Sequence, residues 1–262
     1  MDGQAVKVSA TKVSAIKVSD ALLEARCTHG YQVSCSNCRL GAMCLPLALK
    51  REEIDELEFI VKRGQPLQRG EHVFRENDPF HSIYAVRSGS LKSYRTTPDG
   101  QEQVTGFFLP GEIAGLDGIG TNTHLSSLLA LETASVCAIP FNSLELLGKE
   151  LPHLQRHFLR LMSREIAEDQ QLITLLSKGT ADQKVASFLL GISSRLARQD
   201  LSPTSFRLSM SRVEIGNYLG LTVETVSRVF SKLQKQFVLA VDNKEIELSD
   251  CDRLREIAGI VD

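Results

Sequence analysis

The sequence predicts an α+β chain: an antiparallel β-roll or sandwich, then a long helix, then a winged helix-turn-helix. Three observations predict it. From Gln65 to Pro140, short apolar runs alternate with turn signals. From Phe141 to Lys178 the apolar spacing is helical. Beyond Gly179 a capped short helix, a glycine turn, a second helix and a hairpin follow in order. The organisation is a leader over 1–30, a cysteine loop and β-roll domain over 31–150, a long helix over 151–178 and a winged helix-turn-helix domain over 179–262.

The leader repeats Lys-Val-Ser at 7, 12 and 17. A period of five suits neither helix nor strand, so a flexible tail is expected. After the cysteine loop, residues 50–62 have helical spacing, with Ile54, Leu57 and Ile60/Val61 on one face and Gly64 as the breaker. Turn signals at Arg69-Gly70-Glu71, Asn77-Asp78-Pro79, Ser88-Gly89-Ser90, Pro98-Asp99-Gly100 and Pro110-Gly111 separate strands at 82–87, 91–96, 103–108, 127–131 and 135–139. Helices are expected at 141–150, from Pro152, and at 181–198. Ser211-Arg212-Val213-Glu214 is a capping box, opening a helix with Val213, Ile215, Tyr218 and Leu219 as its apolar residues. Gly220-Leu221-Thr222 turns the chain, Thr222 caps a helix over 223–236, and 238–241 with 245–248 form the wing.

Composition narrows the function classes. No apolar run approaches the roughly 20 residues of a membrane span, and the N-terminus has no apolar core of a secretory signal. Six cysteines in 262 residues, three of them clustered, suit a reduced compartment and a metal site better than a disulfide scaffold. The expected location is therefore the cytoplasm. A net charge of −2 leaves any nucleic-acid contact to a local patch.

The chemically richest stretch is Cys35-Ser36-Asn37-Cys38-Arg39-Leu40-Gly41-Ala42-Met43-Cys44-Leu45-Pro46. Its C-x2-C-x5-C spacing lets three thiolates converge on one centre. Cys27, Cys137 and Cys251 are the candidates for a fourth ligand. Spacing leaves both zinc and an iron–sulfur cluster open.

Two other patterns carry function. Leu159, Met162, Ile166, Asp169, Ile173 and Leu176 follow three–four spacing, the signature of a coiled-coil seam. In a parallel two-fold dimer Asp169 would meet its twin, and like charges that close cost stability or hold a proton. The plainer alternative is a tilted helix that leaves Asp169 in water. In the second helix of the helix-turn-helix, Val223, Val226, Val229, Phe230 and Leu233 face inward. Glu224, Ser227, Arg228, Ser231 and Lys235 face outward. Arg reads guanine and Glu accepts from cytosine, so Glu224, Ser227 and Arg228 are the expected base readers. Arg212, Lys232 and Lys235 are expected at phosphates. The plainer reading is a solvated charged face.

The run Gly216-Asn217-Tyr218-Leu219-Gly220-Leu221-Thr222-Val223-Glu224-Thr225-Val226-Ser227-Arg228 resembles the DNA-binding motif of the FNR branch of the CRP/FNR bacterial regulators. The likeness extends through Leu161-Met162-Ser163-Arg164-Glu165-Ile166 and the roll to the cysteines, and is nearest to the FNR/ANR oxygen-responsive regulators. The resemblance implies a cyclic-nucleotide-binding-like β-roll, a long dimerisation helix and a C-terminal winged helix-turn-helix. It implies a [4Fe-4S] cluster on Cys35, Cys38, Cys44 and Cys137, which leaves Cys27 and Cys251 spare. It also implies a homodimer whose interface includes Met162, Ile166, Asp169 and Ile173, with Ile166 and Asp169 responding to the cluster. Glu224, Ser227 and Arg228 fall on the readers of an inverted-repeat site of the TTGAT…ATCAA kind in double-stranded DNA. The Thr97-Pro98-Asp99-Gly100 turn falls where family members touch RNA polymerase.

Rival readings come from other classes. A zinc-stapled DNA-binding regulator without redox sensing shares every cysteine. For a cyclic-nucleotide sensor, Pro110-Gly111-Glu112-Ile113 resembles the start of a phosphate-binding cassette. That cassette normally continues to an Arg and a small hydroxyl residue, and His124-Leu125-Ser126-Ser127 has no arginine to take the phosphate. No cyclic nucleotide is therefore expected. A cupin-type enzyme would need gathered histidines, whereas His72, His81 and His124 are scattered, so no enzymatic activity is expected.

Overall fold

The computed structural model describes residues 34–41 and 43–260. The Lys-Val-Ser leader and Cys27 lie outside the described residues. The described residues open with two 3₁₀ turns, Cys35–Asn37 and Leu45–Ala48, and continue into helix α1, Arg51–Ile60. The helix ends two residues before its expected limit. Val61 is already extended, because Lys62–Arg63 (β1) pairs with Ser135–Pro140 (β8). Of the expected apolar face only Leu57 is buried.

Eight strands make the roll as two facing antiparallel sheets. One has the order β1-β8-β3-β6, with β3 at Ser82–Ser88 and β6 at Ile113–Ala114. The other has the order β2-β7-β4-β5, with β2 at His72–Phe74, β7 at Ser127–Ala130, β4 at Leu91–Thr96 and β5 at Glu102–Phe108. The five expected strands are present within one residue at each end. Strands β1, β2 and β6 escape sequence reading because two or three residues carry no period. Phe74, Val86, Leu91, Leu128 and Ala130 pack in one core cluster of the roll.

Helices α2 (Phe141–Glu150) and α3 (Pro152–Lys178) follow, with Pro152 at the start of α3 where its missing N–H is harmless. Leu154 and Phe158 of α3 share a core with Leu45 of the cysteine loop, Leu57 of α1 and Ile139 of β8. The start of the long helix is thus packed into the layer that carries the cysteines. Among the described residues no helix is long and apolar enough to cross a membrane.

The C-terminal part holds α4 (Ala181–Ala197), β9 (Ser205–Arg207), α5 (Arg212–Leu219), α6 (Val223–Lys235), β10 (Leu239–Asp242), β11 (Glu245–Leu248) and α7 (Cys251–Ala258). The wing is three-stranded, β10-β11-β9, rather than the expected two-strand hairpin. Strand β9 joins from about 40 residues upstream, which no local signal announces. One hydrophobic cluster runs from Val226, Phe230 and Leu189 into Val104, Phe107 and Leu109 of the roll. Polar contacts reinforce that junction. Asn217 accepts from the Val104 N–H at 2.6 Å and donates to the Glu102 carbonyl at 2.7 Å. Arg195 of α4 donates to Glu112 at 2.7 Å.

Candidate cysteine centre and nucleic-acid interface

The cysteine loop is built from successive tight turns. Gly41 N–H donates to the Cys38 carbonyl at 2.9 Å and Cys44 N–H to the Leu40 carbonyl at 3.0 Å. A Cβ on Gly41 would lie 3.2 Å from that Cys38 carbonyl, closer than side chains usually approach. Leu45, fully buried, anchors the loop in the core shared with α1 and α3. Cys137 arrives from β8, where it lies opposite Arg63 of β1 and Ala85 of β3.

The fold brings these four cysteines into one electrostatic neighbourhood. Cys137 pushes up the pKa of Cys35 and Cys44, and Cys38 pushes up those of Cys44 and Cys137. Burial is the largest cause: with the Glu58 carboxylate added it pushes Cys35 up to about 12, it pushes Cys44 up to about 12, and it raises Cys137. All four are free thiols. Cys251 packs instead against the core of the C-terminal domain. Among the described residues, no group of three His, Cys, Asp or Glu side chains is gathered closely enough to enclose a metal ion. The donor set itself is all sulfur, which suits a soft centre, either zinc or a four-thiolate [4Fe-4S] cluster.

Three supporting side chains went unread in the sequence. Glu58 of α1 accepts the Cys35 N–H at 2.5 Å, and Arg63 reaches the Cys35 sulfur at 3.5 Å. His157 of α3 is buried beside the Cys44 backbone, with its Nε2 unpartnered. None has a motif signal, since each acts through the residue it meets in space. Two of the three scattered histidines have ordinary partners. His72 bonds the Tyr94 hydroxyl at 2.8 Å and His124 stacks on Phe74 with ring centroids 3.6 Å apart.

The helix-turn-helix half is set by caps. Ser211 and Glu214 form the reciprocal capping box that opens α5. Gly220, with φ +62°, makes the turn in a conformation most side chains avoid. Thr222 accepts from the Thr225 N–H at 3.2 Å and opens α6. Val226, Val229, Phe230 and Leu233 are buried, so Glu224, Ser227, Arg228, Ser231 and Lys235 are turned outward. Glu224 is held ionised by the backbone at the helix start, by Thr222 and by Arg228. The Ser227 hydroxyl donates to the Val223 carbonyl at 2.8 Å.

Three details differ from the sequence reading. Val213 is 62% exposed, because α5 buries Ile215 and Leu219 on its other side. Lys232, expected at a phosphate, is paired with Asp182 of the neighbouring α4. Arg212, likewise expected at a phosphate, stacks on Phe230 at 3.3 Å, and burial pushes its pKa down to about 10. Lys232 nevertheless stays exposed on the same outer groove as Lys235 and Arg228, whereas Arg212 is half-buried.

Two family models match this architecture. A cyclic nucleotide-binding domain covers residues 64–150 and a Crp-like helix-turn-helix domain covers residues 183–257. The chain is 52% identical over 228 residues to the transcriptional activator protein Anr of Pseudomonas aeruginosa, spanning 87% of this chain and 93% of that one. The chain belongs to the CRP/FNR family. It is also 45% identical over 230 residues to the fumarate and nitrate reduction regulatory protein of Escherichia coli, spanning 88% of this chain and 92% of that one. The solved structure of FixK2 from Bradyrhizobium japonicum superposes with a TM-score of 0.70 at 31% identity, covering 76% of this chain and 97% of that chain. These CRP/FNR relatives are regulators, not enzymes.

In this CRP/FNR chain the cassette position carries its own anion. Asp117 accepts from the Leu125 N–H at 3.1 Å and the Ser126 hydroxyl at 2.7 Å, with His124 at 3.4 Å. Asp117 lines a cavity of about 440 Å³ between the roll and α3, with Met162, Ile166 and Asp169 on the helix side. Along α3, Leu159, Ile166 and Ile173 are exposed in the single chain, while Met162 is half-buried against the roll core. Asp169 is exposed on this stripe, yet nearby protein desolvates it enough to raise its carboxyl pKa.

Proposed function

We propose that this chain is an oxygen-responsive, cytoplasmic DNA-binding regulator. Its homodimer is supported by a [4Fe-4S] cluster held by Cys35, Cys38, Cys44 and Cys137. The observation that carries the reading is that Cys44 of the loop and Cys137 of β8 both pack against the core layer that holds the first turns of α3. When bound, the cluster supplies an oxidisable centre that oxygen destroys. The protein's own residues do the rest. Ionising Cys35, Cys44 and Cys137 against the burial that raises them favours a bound cation and makes loading fall with falling pH. Leu45 and His157 connect loop order to the start of α3.

The exposed apolar stripe on α3 supports dimerisation. Burying Leu159, Ile166 and Ile173 between two copies removes apolar surface from water. Asp169 opposes this, since the twin carboxylates repel, and the balance is then set by how firmly the cysteine layer holds the helix. Two α6 helices about one DNA turn apart would read an inverted repeat of the TTGAT type through Glu224, Ser227 and Arg228. The exposed Pro98-Asp99-Gly100 turn is the proposed RNA polymerase contact. The names of the relatives, an activator and a regulator of fumarate and nitrate reduction, support activation when oxygen is scarce. The self-supplied Asp117 anion supports a pocket that refuses cyclic phosphates.

The test is an anaerobic absorbance spectrum with iron and sulfide analysis, followed by timed exposure to air. About four irons per chain and a visible band that bleaches in air are expected. Zinc and no visible band would sink the sensor and turn the cysteines into a structural staple.

A further inference from the structure

Arg63 and Glu58 join the two sources of cysteine. In the sheet register Arg63 lies directly opposite Cys137. Its guanidinium reaches the Cys35 sulfur at 3.5 Å. The same guanidinium grips Glu58 with two bonds, at 2.5 and 2.8 Å. Glu58 in turn accepts the Cys35 N–H at 2.5 Å. One fork-to-carboxylate pair therefore touches the backbone and the sulfur of the first loop cysteine while its own strand runs beside the fourth. The pair is about three-quarters shielded, with 27% and 28% of the side chains exposed.

We propose that Glu58 and Arg63 form a clamp that positions Cys35 against Cys137 and sets how readily the centre held there gives up an electron. The inference rests on the proposed iron–sulfur function. Hydrogen bonds and charges at the cluster sulfurs are a recognised lever on reduction potential. A cluster held there would give one electron to dioxygen, which would leave as superoxide. A guanidinium N–H on the sulfur stabilises the electron-rich state and Glu58 offsets it.

The clamp makes an opposite-sign prediction. In Arg63→Gln the uncompensated Glu58 carboxylate remains, so oxidation becomes easier. In Glu58→Gln the uncompensated guanidinium remains, so oxidation becomes harder. A tenfold change in the oxidation equilibrium, about 59 mV for one electron, is expected in each direction. Mediated redox titration of the anaerobically loaded protein reads this, with Arg63→Lys falling between wild type and Arg63→Gln. A purely structural clamp would move both variants the same way. The positioning half is read without metal: amide hydrogen exchange at Cys35 in the metal-free chain should rise about tenfold in Glu58→Ala, which removes its acceptor. Wild-type protein without iron would overturn the function and this inference together. Wild-type protein with iron, combined with shifts of one sign or none, would overturn the inference alone. Unchanged Cys35 exchange in Glu58→Ala would remove the positioning role.

Discussion

Asn217 is the residue whose loss should most directly loosen the DNA-binding domain from the roll. It sits on α5, yet its side chain is spent on strand β5 of the roll. Val104 is 4% exposed, and its N–H has the Asn217 Oδ1 at 2.6 Å as partner. Replacing Asn217 by Ala leaves that donor buried and unmade, which costs about 1–3 kcal/mol. The bond to the Glu102 carbonyl, at the more exposed edge, adds about 0.5–1.5 kcal/mol. The expected total is roughly 2–4 kcal/mol. Gln103→Ala is the internal control. It removes an exposed bond to the Asn217 carbonyl at 2.8 Å and a longer one to the adjacent Val104 carbonyl at 3.2 Å, strands no buried donor, and should cost about 1 kcal/mol. Urea unfolding of the metal-free protein, followed by circular dichroism, measures both. An Asn217→Ala variant no less stable than Gln103→Ala would refute the reasoning. It would mean that the shared cluster of Phe107, Phe188 and Tyr218 holds the junction by itself.

Further outcomes are expected elsewhere. Asp169→Ala removes the like-charge pair proposed at the dimer seam and should be dimeric by sedimentation in air; a monomer would end the electrostatic account. Arg228→Ala should lose about 1–3 kcal/mol of discrimination at one base pair, read by binding to single-base operator variants, and an unchanged preference would remove Arg228 from base reading. Phe237 is 83% exposed with φ +58°, so Phe237→Gly should raise stability by about 0.5–1 kcal/mol in thermal unfolding; a loss would show that the ring makes contacts worth more than its backbone strain. Asp117→Asn combined with Leu125→Arg removes the built-in anion and supplies a guanidinium, so cyclic AMP should bind the double variant by calorimetry and not the parent. Equal binding to both would contradict the surrogate-anion argument.

The residues that could be read in the sequence act on near neighbours in the chain. Ser211 with Glu214, and Thr222 with Thr225, are cap interactions across three residues, so their pattern is visible before any folding. The apolar face of α6 follows from a period of 3.6, which is why the outward set of Glu224, Ser227 and Arg228 was legible. The cysteine spacing announced a soft-ligand loop for the same reason, while Cys137 was only one of three candidate partners until a family resemblance singled it out. The partners of Lys232 and Arg212 could not be read in the same way: Asp182 and Phe230 meet them across helix–helix packing.

By itself, then, the sequence determined the element types, the caps, the three-cysteine loop and the outward face of α6, because each depends on interactions within about one helical turn or one hairpin. Only the tertiary structure decided that Arg63 lies opposite Cys137, that Glu58 holds the Cys35 backbone, that Asn217 serves the roll and that β9 completes the wing. Those pairings join residues tens of positions apart. Their partners are chosen by sheet register and by the packing of whole elements, and no short-range period or motif records that choice.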